Sequence, residues 1–306
     1  LEQYVGLYRR MPEELTLRVE ELVPWFIKKV TWKWEPWVGP KPDEEMAKVC
    51  VSFLACLLIV NRSKKDLEHF HTFVFHPASL KDDDGETWAG HASPGGQIEQ
   101  SWPSTLRGMQ DGEDNYCVTI HEFVHMIDYR DRSFESVPHF DSSSVIREYR
   151  AFLKSEYKDL CKAWEKVSGC AAIRKYATSD KAEFLTCATE SFFENSERLK
   201  FLRPQVYKWM QRIYKMDPRQ WAERVSLAEL NNIRYEHWDR WFHGSTWDSK
   251  KSSAELLWPH GISAKDYPAW SAAEIERRQG EERARIERER REAAERATRE
   301  KKEKKE

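Results

Sequence analysis

The chain has no excess of charge of either sign. Fifty basic and 52 acidic side chains leave a formal net charge of −2, so neither nucleic acid nor an anionic membrane is expected as a partner. It also lacks a long apolar run. The longest, VCVSFLACLLIV, falls well short of the roughly 20 residues a membrane helix needs and reads instead as a buried helix. No secretory leader is visible, although the first residue is Leu1 rather than methionine. The six cysteines (Cys50, Cys56, Cys117, Cys161, Cys170 and Cys187) include no CxxC pair. Several lie inside apolar helical patterns, so reduced, buried thiols in a cytoplasmic protein are expected rather than a disulfide framework.

Apolar residues make up 40% of the chain and charged residues 33%, with much of the charge gathered in residues 271–306. The remainder has an ordinary globular composition with room for a sizeable core. Fourteen tryptophans scatter along it as packing residues. Helical periodicity runs through residues 1–30, with Leu15, Val19, Leu22 and Val23 on one face. A Trp- and Pro-rich connection, TWKWEPWVGPKP, leads to a helix over 43–60 with Asp43 as its N-cap. HTFVFHP and QIEQSW read as short strands, and KDDDGETWAGHASPGG between them as a loop. Helices are expected at about 115–129, 143–166 and 181–195, and through RPQVYKWMQRIYKM. Many helices and few strands predict an α+β domain, mostly helical with a small mixed sheet.

Residues 1–225 are expected to form that domain. Residues 226–270 are Trp-rich and broken, and no role can be read from them. Residues 271–306 place Glu274/Arg278, Glu281/Arg285, Glu287/Arg291 and Glu292/Arg296 at the favourable i,i+4 orientation. They have almost no apolar stripe, which predicts a solvated helical extension or tail rather than a coiled coil.

The chemistry centres on CVTIHEFVHMIDYR. His121 and His125 stand four apart, so on a helix both imidazoles face one side and can share a metal ion. Glu122 points partly off that axis, where a carboxylate takes a proton from the attacking water instead of binding the metal. HExxH alone is not decisive, because a pair of hydrogen-bonded core histidines has the same spacing. Val118, Ile120, Phe123, Val124, Met126 and Ile127 would bury this helix. A third ligand is sought in YATSDKAEFLTCATESFFENSE, where Glu183 and Glu190 lie seven apart on one helix face. Glu183 also fits the N3 position of a capping box opened by Asp180, and spacing does not decide between capping and ligation. Asp128, three residues beyond His125, is placed to accept a ligand imidazole's second N–H.

TIHEFVHMIDYRD followed by SVP, YATSDKAEFLTCATESFFE and PQVYKWMQRIYKMDP closely resembles the Mlc titration factor A family of zinc metallopeptidases. LYRRMPEELTLRVEELVPWFIKKVTW, ACLLIVNRS and FHTFVFHP resemble it in the same order, so the resemblance covers about residues 5–220. It implies a zincin-like fold related in its catalytic core to the lethal factor toxin protease. It further implies one zinc ion held by His121, His125 and Glu183, with Glu122 as general base and Glu190 behind the ligands. Tyr176 matches a tyrosine that donates to the oxyanion. Lys181 stands where the family usually has proline, Ser191 replaces an aromatic residue, and the loop carrying His91 is not closely family-like; that histidine is read as exposed to water.

The implied activity is hydrolysis of a peptide or protein substrate, as an aminopeptidase. QIEQSW is a candidate strand for pairing with extended substrate. The competing reading is a regulatory binding protein, since the family's name comes from sequestering a transcriptional repressor.

Overall fold

Prolines punctuate the periodic stretch that opens the chain. Met11, ahead of Pro12, is driven to extended backbone, and Pro24 sits in the first turn of a new helix. One expected helical region therefore becomes three helices, α1 (Gly6–Arg10), α2 (Glu13–Glu20) and α3 (Val23–Lys29). The computed structural model describes residues 1–37, 41–81, 87–131, 135–166 and 172–221. The segments 226–270 and 271–306 lie outside the described residues.

After α3 come β1 (Thr31–Trp34), α4 (Glu44–Ile59), β2 (Thr72–His76), β3 (Leu80–Lys81), β4 (Thr87–Trp88), β5 (Gly90–Ser93) and β6 (Gln97–Ser101). The rest is helical: α5 (Trp102–Gln110), α6 (Val118–Asp128), α7 (Ser143–Lys166), α8 (Lys181–Glu194), α9 (Ser196–Leu202) and α10 (Pro204–Tyr214). Asp43 caps α4 by accepting from the Met46 N–H at 2.7 Å, as its position in the sequence suggests. The arrangement is α+β, mostly helical, with one mixed four-stranded sheet in the order β1-β2-β6-β5 and a separate β3–β4 pair. β1, β2 and β6 run parallel, and β5 runs antiparallel to β6.

Four strands differ from the sequence expectation: the two-residue β3 and β4, at and inside the expected loop, and the two that extend the main sheet, β1 and β5. TWKW is a strand rather than part of a connection. Trp32 and Trp34 alternate onto one face, where Trp34 stacks on Phe75 at 4.3 Å and Trp32 lies 5.5 Å from Phe73. Residues 90–93 form β5 rather than loop. The Ser93–Gly96 turn, closed by the Gly96 N–H to the Ser93 carbonyl at 2.9 Å with Gly96 at φ +89°, folds them back onto β6. Only Ala92 of β5 is a buried apolar residue, so its periodicity is faint. The Pro-Gly-Gly turn was the available clue.

β6 therefore has β2 on one side and β5 on the other. QIEQSW cannot accept a substrate strand, because both its backbone edges are already bonded. Among the described residues the open edges of the sheet belong to β1 and β5. The helical face of the sheet carries Phe73, Phe75 and Ile98, all fully buried. There Phe26 of α3 and Phe123 of α6 meet at 5.6 Å, with Phe73 6.2 Å from Phe123.

Candidate metal centre

Asn115, in left-handed backbone at φ 61°, and extended Cys117 delay the histidine helix, so α6 begins at Val118 rather than near 115. Cys117 offers α6 no side-chain cap. Buried polar groups from elsewhere hold its first turn instead. The Cys117 N–H donates to Glu190 Oε1 at 3.0 Å. Gln100 of β6 donates from Nε2 to the Val118 carbonyl at 3.2 Å, and its Oε1 accepts from Thr119 at 3.0 Å and Thr105 at 2.9 Å. Every residue of α6 is buried, so its polar side chains must find partners inside the molecule.

α8 packs against α6 and supplies them. Its N-cap Asp180 accepts the Glu183 backbone N–H at 2.9 Å, while the Glu183 carboxyl turns to the histidines. Oε2 lies 2.9 Å from His121 Nε2, and Oε1 lies 3.4 Å from His125 Nε2. Only the Asp180 half of the capping box forms: the carboxyl that the full box would turn back to the Asp180 N–H is given to the histidines. The two rings stand 5.0 Å apart at 75°. Burial alone would raise the Glu183 carboxyl, but hydrogen bonds and charge from both histidines hold it well below the usual carboxylate range. One donor atom from each of the three residues lies within 4.8 Å of the others. Two imidazole nitrogens and a carboxylate form a donor set that suits zinc. His125 Nδ1 is buried without a hydrogen-bond partner among the described residues.

Glu122 faces the other side of His121, toward β5. Burial pushes its carboxyl above the ordinary range, with His121 and His125 acting against that shift. Gly90 leaves room for it: a Cβ there would stand 2.9 Å from Glu122 Oε1 and 2.8 Å from Val118 Cγ2. The next residue, His91, is exposed on β5.

The Tyr176 hydroxyl donates to Glu183 Oε1 at 3.4 Å, and its ring centre is 6.0 Å from that of His121. Burial, helped by Glu183, pushes its phenol up to about 12. Glu190 is fully buried behind His121, with Oε2 at 3.5 Å from Nδ1. Burial would raise its carboxyl, but Arg174 and His121 hold it below the usual range. Asp128 is buried at the end of α6, near Tyr149, whose phenol is raised chiefly by burial, with Tyr214 and the charge of Asp128 adding to the shift; it makes no bond to His125 Nδ1. Arg174 was not singled out in the sequence. It donates to Glu190 Oε2 from Nη2 at 2.8 Å and from Nε at 3.0 Å. Its place two residues before Tyr176 was the only hint, because a single arginine carries no period.

A family model described as glucose-regulated metallo-peptidase M90 matches residues 1–215. An uncharacterized protein of Synechocystis sp. is 26% identical over 134 residues, covering 44% of this chain and 47% of the relative. The chain thus spans about half of that relative's length. Proteins named Mlc titration factor A are also similar. The one from Serratia proteamaculans is 24% identical over 202 residues, covering 61% of this chain and 72% of the relative. The one from Yersinia enterocolitica is 28% identical over 187 residues, covering 55% and 67%.

Proposed function

Because the chain belongs to the glucose-regulated metallopeptidase M90 family, we propose that it is a zinc-dependent peptidase with a zincin-like catalytic core. The observation that carries this reading is the convergence of His121, His125 and Glu183, with Glu122 beside them. These three side chains would hold the zinc. When bound, zinc supplies Lewis acidity that makes water a nucleophile near neutral pH and polarises the scissile carbonyl.

The chain's own groups do the rest. Glu122 takes the proton of the attacking water and passes it to the leaving amine. Tyr176, protonated at neutral pH with its phenol raised to about 12, donates to the carbonyl oxygen as charge develops there. The outer edge of β5, running past Glu122 at Gly90, offers backbone groups for an extended peptide, the role first considered for β6. Glu190 orients His121 from behind. We assign Asp128 a supporting place at the end of α6.

The proposed substrates are peptides trimmed from the amino end, as the sequence resemblance implies. The described cysteines are free, which supports a reducing compartment such as the cytoplasm. No described helix is long and apolar enough to cross a membrane. The names of the relatives favour one further reading, a regulatory protein that binds a repressor or other protein partner.

A panel of aminoacyl chromogenic substrates, assayed with and without a chelator, tests the peptidase. Glu122→Gln should keep its zinc and lose turnover by about 10²- to 10⁴-fold, the usual worth of a general base. A protein that works by sequestration would keep its partner through that substitution. Wild-type chain that carries zinc and cleaves nothing on the panel would rule out aminopeptidase activity.

A further inference from the structure

Behind the first donor set lies a second that shares His121 with it. His121, Cys187 and Glu190 also bring ligand atoms within 4.8 Å of one another, and all three residues are buried. A cation of the chain itself already fills this position. Arg174 Nη2 lies 2.9 Å from His121 Nδ1 and 2.8 Å from Glu190 Oε2. The guanidinium also packs between two rings, 4.9 Å from the centre of Tyr116 and 5.3 Å from that of Tyr176.

We propose that Arg174 is a positioning residue for the metal centre, holding Glu190 so that its Oε2 receives the Nδ1–H of His121 while His121 Nε2 faces the metal. The proposal rests on the reading of His121 as a ligand. An imidazole that gives Nε2 to a cation carries its hydrogen on Nδ1 and needs an acceptor. Glu190 Oε2, at 3.5 Å, is the carboxylate oxygen facing that atom. Nδ1 lies nearer to the guanidinium, at 2.9 Å, than to Oε2, at 3.5 Å. Once Nδ1 carries its hydrogen it cannot bond the guanidinium, since both donate, so that contact must open in favour of Oε2, into which both then donate.

Glu190 cannot stay ionised in this place unaided, because a fully buried carboxylate without a counter-charge is costly. Arg174 supplies the charge. It also supplies direction, since Nε and Nη2 grip one oxygen while the Cys117 N–H fixes the other. The two tyrosine faces keep the planar group from rotating away. A lysine at this position would bring charge without the fork or the stacking.

The test is a double-variant cycle read by zinc affinity, using chelator competition on the full chain. Arg174→Ala and Glu190→Gln should each weaken zinc by about 10- to 100-fold, the usual effect of losing a group that orients a ligand. Combined, they should be no worse than the weaker-binding single variant by more than about threefold, because both act through the same contact with His121. Arg174→Lys should fall between wild type and alanine. If the alanine variant does not fold, Arg174→Lys with and without Glu190→Gln forms the same cycle. Zinc loss under about tenfold for the alanine variant overturns the proposal, as do losses that multiply in the double variant of whichever cycle is run. A residue that merely supported the fold would lower the unfolding temperature and leave the affinity of the folded protein alone. Wild type that takes up no zinc removes the reading of the site itself, whereas zinc-binding wild type beside an unaffected Arg174→Ala removes only the role of Arg174.

Discussion

Glu183 divides its work between main chain and side chain. Its N–H completes the cap on Asp180, and its carboxyl meets His121 and His125. Helix geometry allows this because an N3 residue presents its N–H to the cap while its side chain leaves along the flank of the first turn. Gly90 shows the same economy of space from the other side. A methyl group there would press on Val118 Cγ2 at 2.8 Å, Glu122 Oε1 at 2.9 Å and Glu122 Cγ at 3.0 Å, and of these the carboxyl end of Glu122 is the most flexible. On the proposed peptidase reading, Gly90→Ala should keep its zinc, since none of the three proposed ligands is touched, and lose about 10²-fold in kcat, the scale of a misplaced catalytic group. Metal content and steady-state kinetics at saturating zinc check this; an unchanged kcat would mean that Glu122 tolerates displacement.

Among the elements, α6 is the one whose position the rest exist to fix. It is buried on every side, and its first turn is tied to β6 through Gln100 and to α8 through Glu190. The loop that leads into it is costly. Burial pushes the Asp114 carboxyl up to about 7, with Asp111 adding to the shift and Arg107 and the Tyr116 N–H opposing it. Nearby, burial and the charge of Asp114 raise Glu194 well above the carboxylate range. A carboxyl raised in the folded state contributes no penalty below its unfolded pKa. It then costs stability as pH rises, until the folded pKa near 7 is passed. Asp114→Asn, which can still accept from the Tyr116 N–H, should therefore gain on wild type by about 1–3 kcal/mol between pH 5 and pH 8. Denaturant unfolding at the two pH values measures it, and a difference independent of pH would place the cost elsewhere.

At the scale of the molecule, the family match ends at residue 215, and among the described residues the buried core runs from Val5 to Tyr214. All the candidate site residues lie inside those limits. We propose that residues 1–225 form the working domain. That fragment should bind zinc and turn over substrate within about threefold of the full chain, as a unit with its own core does. A fragment that folds but loses activity would assign residues 226–306 a part in the site.

Periodicity and spacing were enough for the longer helices, though α5 and α9 were not expected and the first periodic stretch divides into three. Each of α4, α6, α7, α8 and α10 repeats an apolar face over several turns, and HExxH puts two imidazoles on one side of one turn with no help from the rest of the chain. The rest depended on tertiary contact. β1 and β5 are too short for a period to show, and they exist as strands because neighbours pair with them. That pairing closed β6 and moved the open edge beside Glu122. The direction of the Glu183 carboxyl and the seat of Arg174 against Glu190 were likewise settled only when α8 met α6. A local pattern records which way a residue faces on its own element, and a ligand set drawn from two elements depends on how those elements pack.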